Sequence, residues 1–266
     1  MTLRTTPAAL LLHAVAAATL LFLLLPLGVT VALSISETKF VAFPPKGFTL
    51  HWYGVVLSDP EFRSALAYSL CLAAAATLGA LLLGVPAAFA LVRFPVPGHA
   101  FIRSLLLSPL IFPVLVTGLA LLQIFSSLGW GNVPLNLLIA HVLVTSPYVV
   151  RTVTASLMLA DATLEDAART LGADRWRTFR RVTMPQIAPG VAAGSLFAFM
   201  VSFDNYPVSM WLADAQNEPV PMLIYRRVSN LFDPSVAAMS TLLIGLAIGV
   251  VLVMERLVGL RRAIGV

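Results

Sequence analysis

Six stretches of the chain, near Pro7–Leu33, Ser64–Val92, Leu105–Leu128, Val133–Met158, Pro189–Trp211 and Val236–Leu257, are apolar almost throughout. An α-helix needs about 20 such residues to cross the hydrocarbon core of a bilayer, so a chain with six of them is expected to fold as an all-α, polytopic bundle in lipid. Soluble domains carry about a quarter of their residues as Asp, Glu, Lys and Arg. Here the charged fraction is 11%, the hydrophobic fraction 59% and the mean hydropathy +0.93. A single cysteine, Cys71, rules out an internal disulfide framework. The first stretch, preceded by Arg4, is longer than the apolar core of about 7–15 residues in a secretory signal, and no small-x-small site closes it. It is expected as a retained helix.

Six spans place both termini on one side, and the basic residues select that side. Twelve of the seventeen Lys and Arg fall in the segments that are inner if the N-terminus is cytoplasmic. The other five are Lys39, Lys46, Arg63, Arg226 and Arg227. The asymmetry predicts cytoplasmic ends, and the net charge of +5 reflects orientation rather than nucleic-acid binding. Between the first two spans, Ser34–Arg63 is expected as an interfacial helix with a turn, bearing Trp52 and Tyr53.

Pro86, Pro109, Pro113, Pro147 and Pro207 interrupt the apolar runs. Such breaks persist in a membrane only where neighbours, hydroxyls or waters satisfy the freed backbone groups, which favours a lined bundle over a simple anchor. Gly190 with Gly194, and Gly245 with Gly249, have the Gly-x-x-x-Gly spacing that lets helices approach closely.

The densest charge lies in the inner loop 159–186. Leu164, Ala167, Ala168 and Leu171 recur at helical spacing and draw one apolar stripe. Asp161 and Thr163 offer an N-cap, Glu165 and Asp166 sit in the first turn, and Gly172 permits a C-terminal turn. A second run, with Trp176, Phe179 and Val182 among Arg175, Arg177, Arg180 and Arg181, is expected to end at Pro185. So short a helix–turn–helix cannot bury its own apolar face. Either the inner leaflet or another protein must cover it.

The wording of this loop, Asp166-Ala167-Ala168, three residues, Gly172-Ala173, then Val182-Thr183-Met184-Pro185, resembles the EAA loop of binding-protein-dependent ABC importer permeases of type I. Asp166 replaces the family's Glu, Val182 its Ile and Met184 its Leu. The resemblance implies a single transmembrane domain over 1–266, with a core of about 64–257 and a cytoplasmic coupling loop at about 159–186. It implies docking of an ATPase on Leu164, Glu165, Asp166, Ala167, Ala168, Leu171, Gly172, Ala173 and Pro185, the polar contact falling to Asp166 or to Glu165. The partners it implies are a second homologous permease, two ATP-binding subunits and a periplasmic or lipid-tethered solute-binding protein, in a bacterial inner membrane. Any ATP and Mg would be bound by those partners, and this chain would carry no cofactor and no catalysis.

The residues agree with that assignment of chemistry. Neither Lys39 nor Lys46 is followed by Ser or Thr, so no phosphate-cradling loop is present, and His13, His51, His99 and His141 make neither H-E-x-x-H nor a metal cluster. No G-x-S-x-G elbow occurs. Cys71, in an apolar helix, is expected to be a small buried hydrophobe.

For cargo, the informative group is Asp204, an ionisable residue within the fifth span and flanked by Phe203, Tyr206 and Trp211. A carboxylate among aromatics suits an organic cation. It equally suits an ion pair that never meets cargo. His141, Asn136 and Gln123 either line a path or hydrogen-bond between helices. The runs Ser202–Ser209, Pro221–Tyr225 and Asp233–Ala238 resemble the second permease subunit of spermidine/putrescine importers, which implies a polyamine. Related permeases carry opines, aminophosphonates or other small solutes. The rival from another class, an ion-coupled secondary transporter, is expected to show several intramembrane carboxylates and matched halves, and a membrane scaffold would not need Pro-broken spans.

Overall fold

The computed structural model describes residues 7–38, 44–95, 97–230 and 234–258. Arg4, Lys39, Arg261 and Arg262 of the charge count and Asp233 of the third run lie outside the described residues. Helices follow one another along the chain: α1 (Pro7–Ser34), α2 (His51–Ser58), α3 (Pro60–Arg93), α4 (His99–Leu107), α5 (Val114–Ser127), α6 (Val133–Leu159), α7 (Ala162–Thr170), α8 (Arg175–Thr178), α9 (Met184–Phe203), α10 (Tyr206–Leu212), α11 (Val220–Asn230) and α12 (Pro234–Val258). Among the described residues there is no strand.

Among the described residues, five helices are long and apolar enough to cross a membrane, and a sixth crossing is made if the bent pair at His99–Ser127 counts as one. Its halves, His99–Leu110 and Val114–Ser127, meet at 101°, so the third span, expected to be interrupted at Pro109 and Pro113, turns a sharp corner there. Pro113 caps α5 with an extended backbone (φ −58°, ψ 121°) and offers no N–H to continue the preceding turn. Pro86 and Pro147, by contrast, sit inside unbroken helices. In the turn before Pro147, the hydroxyls of Thr145 and Ser146 bond the carbonyls of His141 and Val142.

The fifth span is also corrected. It runs Arg175–Phe203 rather than Pro189–Trp211, because the second amphipathic run of the loop continues through Pro185 into the membrane helix. A π-turn at Phe179–Thr183, in which the Met184 amide reaches back five residues to the Phe179 carbonyl, widens the helix just before that proline. The wider turn accommodates a ring that would otherwise crowd the carbonyl four residues back. The span then stops at Phe203, eight residues short of Trp211.

The chain divides into two compact units. One comprises residues 1–63 and 224–246, the other 64–223 and 247–266. In the first, α1 is exposed along almost its whole length. The Trp52 indole N–H donates to the Ser36 carbonyl at 2.8 Å, and Arg226 and Arg227 on α11 pair with Asp59 and Glu61 at the start of α3.

Among its described residues, the second unit contains two apolar clusters. Leu72, Phe125, Leu137, Ala140, Val144, Val208 and Leu212 join α3, α5, α6 and α10. Ala80, Ala88, Val149, Val153, Leu157, Ile187 and Ala198 join α3, α6 and α9. α6 and α9 pack closely. A Cβ at Gly190 would collide with the Ser156 side chain and lie 2.7 Å from the Thr152 carbonyl, and one at Gly194 would lie 2.6 Å from Thr152 Oγ1. Close approach of this kind replaces the hydrophobic drive that lipid withholds. Among the described residues, nothing lies within 4 Å of a Cβ added at Gly245 or Gly249. Cys71 is exposed on α3, contrary to the expectation of burial.

Candidate functional site

The α7–α8 hairpin is locally over-determined. Asp161 caps α7, its carboxylate accepting from the amide and hydroxyl of Thr163 at 2.9 and 2.7 Å. Those two hydrogen bonds, the hydroxyl's first, hold the Asp161 carboxyl below its ordinary value. At the other end Gly172 takes φ +85°, a conformation that suits a residue without Cβ. Its amide donates to the Arg169 carbonyl at 2.9 Å and the Ala173 amide to the Ala168 carbonyl at 3.0 Å, the paired bonds of a Schellman turn. Asp174 then caps α8 through the Arg177 amide at 2.7 Å. The Asp161 amide donates to Gln186 Oε1 at 2.9 Å, tying the start of α7 to the first turn of α9.

These constraints fix which residues face outward. Leu164 is 50% exposed and Leu171 88%, and beyond the turn Trp176 is 68% exposed. Asp166 and Ala167 are exposed with them, Gly172 and Pro185 also, while Ala168 and Ala173 are half-buried. Glu165 points the other way and is 2% exposed. Its Oε1 accepts from Arg93 Nε at 3.2 Å and lies 3.1 Å from Arg93 Nη2. Glu165, expected on the docking face, therefore faces the bundle, and Asp166 is the carboxylate on the outer side. The hairpin and the end of α3 enclose a cleft lined by Phe89, Arg93, Glu165, Arg175, Phe179 and Thr183 among others.

At the far end of α9 the expected pathway residues separate into two groups. Asp204 is exposed at the break between α9 and α10. Behind it, Phe203 is buried and stacked on Phe199 at 5.9 Å. Tyr206 and Trp211 are half-buried on α10, and Trp211 packs on the α3–α5–α6–α10 cluster. His141, 1% exposed, is a hub between helices: Nδ1 lies 2.8 Å from Ser202 Oγ and Nε2 3.3 Å from Ser209 Oγ. It thus holds one hydroxyl on each side of the break. Asn205 caps α10 by accepting from the Val208 amide at 3.2 Å. Asn136 Nδ2 donates to the Trp130 carbonyl at 3.0 Å, and Gln123 is exposed.

Depth follows from helix rise. His141 lies eight residues from the start of α6, so the break beside it sits about 12 Å inside that end of the helix. An interrupted helix at such depth is tolerated where it borders protein or a water-filled path. The α9 terminus places the negative end of a helix dipole beside the Asp204 carboxylate, opposed by the positive end of the seven-residue α10 that starts two residues on; the carboxylate is the group there that can attract a cation. Among the described residues, no three His, Cys, Asp or Glu gather as a metal site.

Ser202, Ser209, Gln186 and Arg93 were not singled out as functional by the sequence. Each acts on a residue far along the chain, and no local pattern marks it.

This helical membrane bundle, with its broken spans and a hairpin that turns an apolar face outward, is identified by its relatives as a permease subunit of an ABC importer. The chain belongs to the family described as binding-protein-dependent transport system inner membrane component, whose profile matches residues 80–261. It is 34% identical over 237 residues to the putrescine transport system permease protein PotI of Escherichia coli K12, covering 86% of this chain and 84% of that one. It is 30% identical over 231 residues to the spermidine/putrescine transport system permease protein PotC of the same strain, covering 87% of each. In fold it resembles a chain of a bacterial ABC transporter that imports the acidic polysaccharide alginate, with a TM-score of 0.72 over 96% of this chain and 99% of that one, at 20% identity.

Proposed function

We propose that this permease subunit forms one half of the membrane path for a small organic cation of the polyamine class and acts as a single transmembrane domain. Separate ATP-binding subunits dock on the hairpin and hold the ATP and Mg, so the chain performs no catalysis and carries no cofactor. A second homologous permease completes the path and a periplasmic or lipid-tethered binding protein delivers the solute. The hairpin and both termini face the cytoplasm of a bacterial inner membrane.

The observation that carries the docking is the outward face of the hairpin. Leu164, Leu171 and Trp176 sit on a rigidly capped helix–turn–helix, exposed to a degree that water disfavours. An apolar stripe on a short, fixed helix is what a groove on a partner can take. The cation cargo is supported by the exposed Asp204 at the α9 terminus and by the putrescine and spermidine named for the two relatives. The alginate importer crystallised with its periplasmic protein supports the delivery partner.

Two measurements test this reading. Leu164→Glu/Leu171→Glu is expected to insert normally but to lose its ATPase partners on copurification, a loss of affinity of about thirtyfold or more for a desolvated hot spot. Retention of the ATPases by that variant overturns the docking assignment. Uptake of labelled putrescine by cells carrying the whole transporter is expected to fall about tenfold in Asp204→Asn, as loss of one charge-assisted contact predicts. Unchanged uptake removes Asp204 from the path.

A further inference from the structure

The docking face and the bundle are linked by a chain of ion pairs. Exposed Asp166 pairs with Arg169 at 3.1 Å. Arg169 Nη2 lies 3.8 Å from Glu165 Oε2. The other oxygen of Glu165 takes Arg93, seventy-two residues earlier and the last residue of α3. A second link runs beside it, where the rings of Phe179 and Phe89 meet edge to face at 5.2 Å.

Covalent connection joins α7 to two spans: to α6 through Ala160 and Asp161, both with extended backbones that can serve as a hinge, and through the Gly172 turn to the Arg175–Phe203 span that contains α9. The Asp161–Gln186 hydrogen bond fastens the start of α7 to α9 as well. Only the Arg93–Glu165 pair brings the polar side chains of α7 to α3 among the described residues. With it, one nine-residue helix is held by three spans; without it, a pull on α7 can be absorbed by rotation at the hinge.

Resting on the docking proposed above, we propose that Glu165 and Arg93 are positioning residues, a strut that makes displacement of the hairpin move α3 together with α6 and α9. The pair is mostly dry, with Glu165 side chain 3% and Arg93 side chain 16% exposed, so water does not screen it as it would a surface pair. Arg93 donates to Glu165 Oε1 through Nε, and its Nη2 lies 3.1 Å from the same oxygen without forming a hydrogen bond. The two adjacent carboxylates thus lie on opposite sides of one helix: Asp166 faces outward, toward the proposed partner, and Glu165 inward, toward α3.

Cys71, the only cysteine of the chain and exposed on α3, gives a reporter that needs no knowledge of cargo. The whole transporter, assembled with cysteine-free partner subunits in lipid nanodiscs, is labelled at Cys71 with an environment-sensitive fluorophore. The signal change on adding ATP and vanadate is then measured. Glu165→Gln and Arg93→Gln are expected to retain their ATPases and to lose the change by about tenfold, within the range of coupling between sites. The charge-exchanged Glu165→Arg/Arg93→Glu is expected to recover most of it. Single variants that respond like the parent overturn the strut, and so do single variants that shed the ATPases, because the pair would then only shape the docking face. Should the single variants fail to accumulate, the exchanged pair decides: accumulation with a parental response supports the strut, and accumulation without one, or failure to accumulate, overturns it. Loss of the ATPases from the parent itself would instead defeat the docking assignment.

Discussion

The α6–α9 seam and the α7–α8 hairpin are neighbours in sequence, yet one hides its contacts and the other displays them. Along the seam, Gly190 and Gly194 meet Thr152 and Ser156 so closely that no Cβ fits, while Ile187, Val149, Val153 and Leu157 are buried. In the hairpin, Leu164, Leu171 and Trp176 project outward from a frame of caps and turns. The seam is complete within one chain. The hairpin is finished in its backbone and unfinished on its surface, as the docking proposed for it requires.

If the seam is a steric fit, enlarging it should do the most damage. Gly190→Leu inserts a side chain where even a Cβ meets Ser156 and the Thr152 carbonyl, and overpacking of this kind costs about 3 kcal/mol. The expected outcome is a protein that fails to accumulate in the membrane, or unfolds at sharply lower temperature in detergent. Accumulation and thermal stability equal to the parent would show that α6 and α9 can part without consequence. The same bulk added at Gly245, where no described atom lies within 4 Å, is the control.

The break beside Asp204 lies between these extremes, a gap in a span that is fastened from behind. His141→Ala would leave the Ser202 and Ser209 hydroxyls buried without their ring partner. The cost is about 2 kcal/mol, or about 5 °C in Tm for a chain of this size. His141→Asn, which can serve one hydroxyl, should fall between the two. Equal Tm for all three would mean that α10 is held in place by Val208 and Leu212 in the apolar cluster alone.

What could be read from sequence follows the reach of each interaction. Asp161, Gly172 and the stripe Leu164–Leu171 act within a few residues, so the cap, the turn and the outward face were all visible in the string. Glu165 was grouped with its neighbours because a helical wheel knows nothing of Arg93 on another helix. Hydropathy carries the fifth span through Asp204 because the apolar residues of α9 and α10 flank a break of only two residues. Hydropathy averages across so short a gap. The proline positions were visible, but not which would break a helix: Pro113 does, whereas Pro147 has neighbouring hydroxyls occupied in its own helix. Cys71 exposes a more general limit. In lipid an apolar residue gains as much by facing outward as inward, so hydrophobicity marks the span without marking its buried side.

The smallest expected effect tests whether the hairpin is rigid before any partner arrives. The Thr163 hydrogen bonds that fasten Asp161 act on its ionised form and depress its pKa below the ordinary aspartate value near 3.8. A depressed carboxylate contributes stability that is complete above its unfolded value and is lost as pH falls through the folded one. Asp161→Ala should therefore speed amide exchange in the first turn of α7 at about pH 6 without affecting the seam. The difference between variant and parent should shrink once the pH drops below 3.8. A difference that persists undiminished in acid would mean the carboxylate's charge plays no part in the cap. No difference at neutral pH would assign the order of α7 to the Gly172 turn and the Gln186 contact instead.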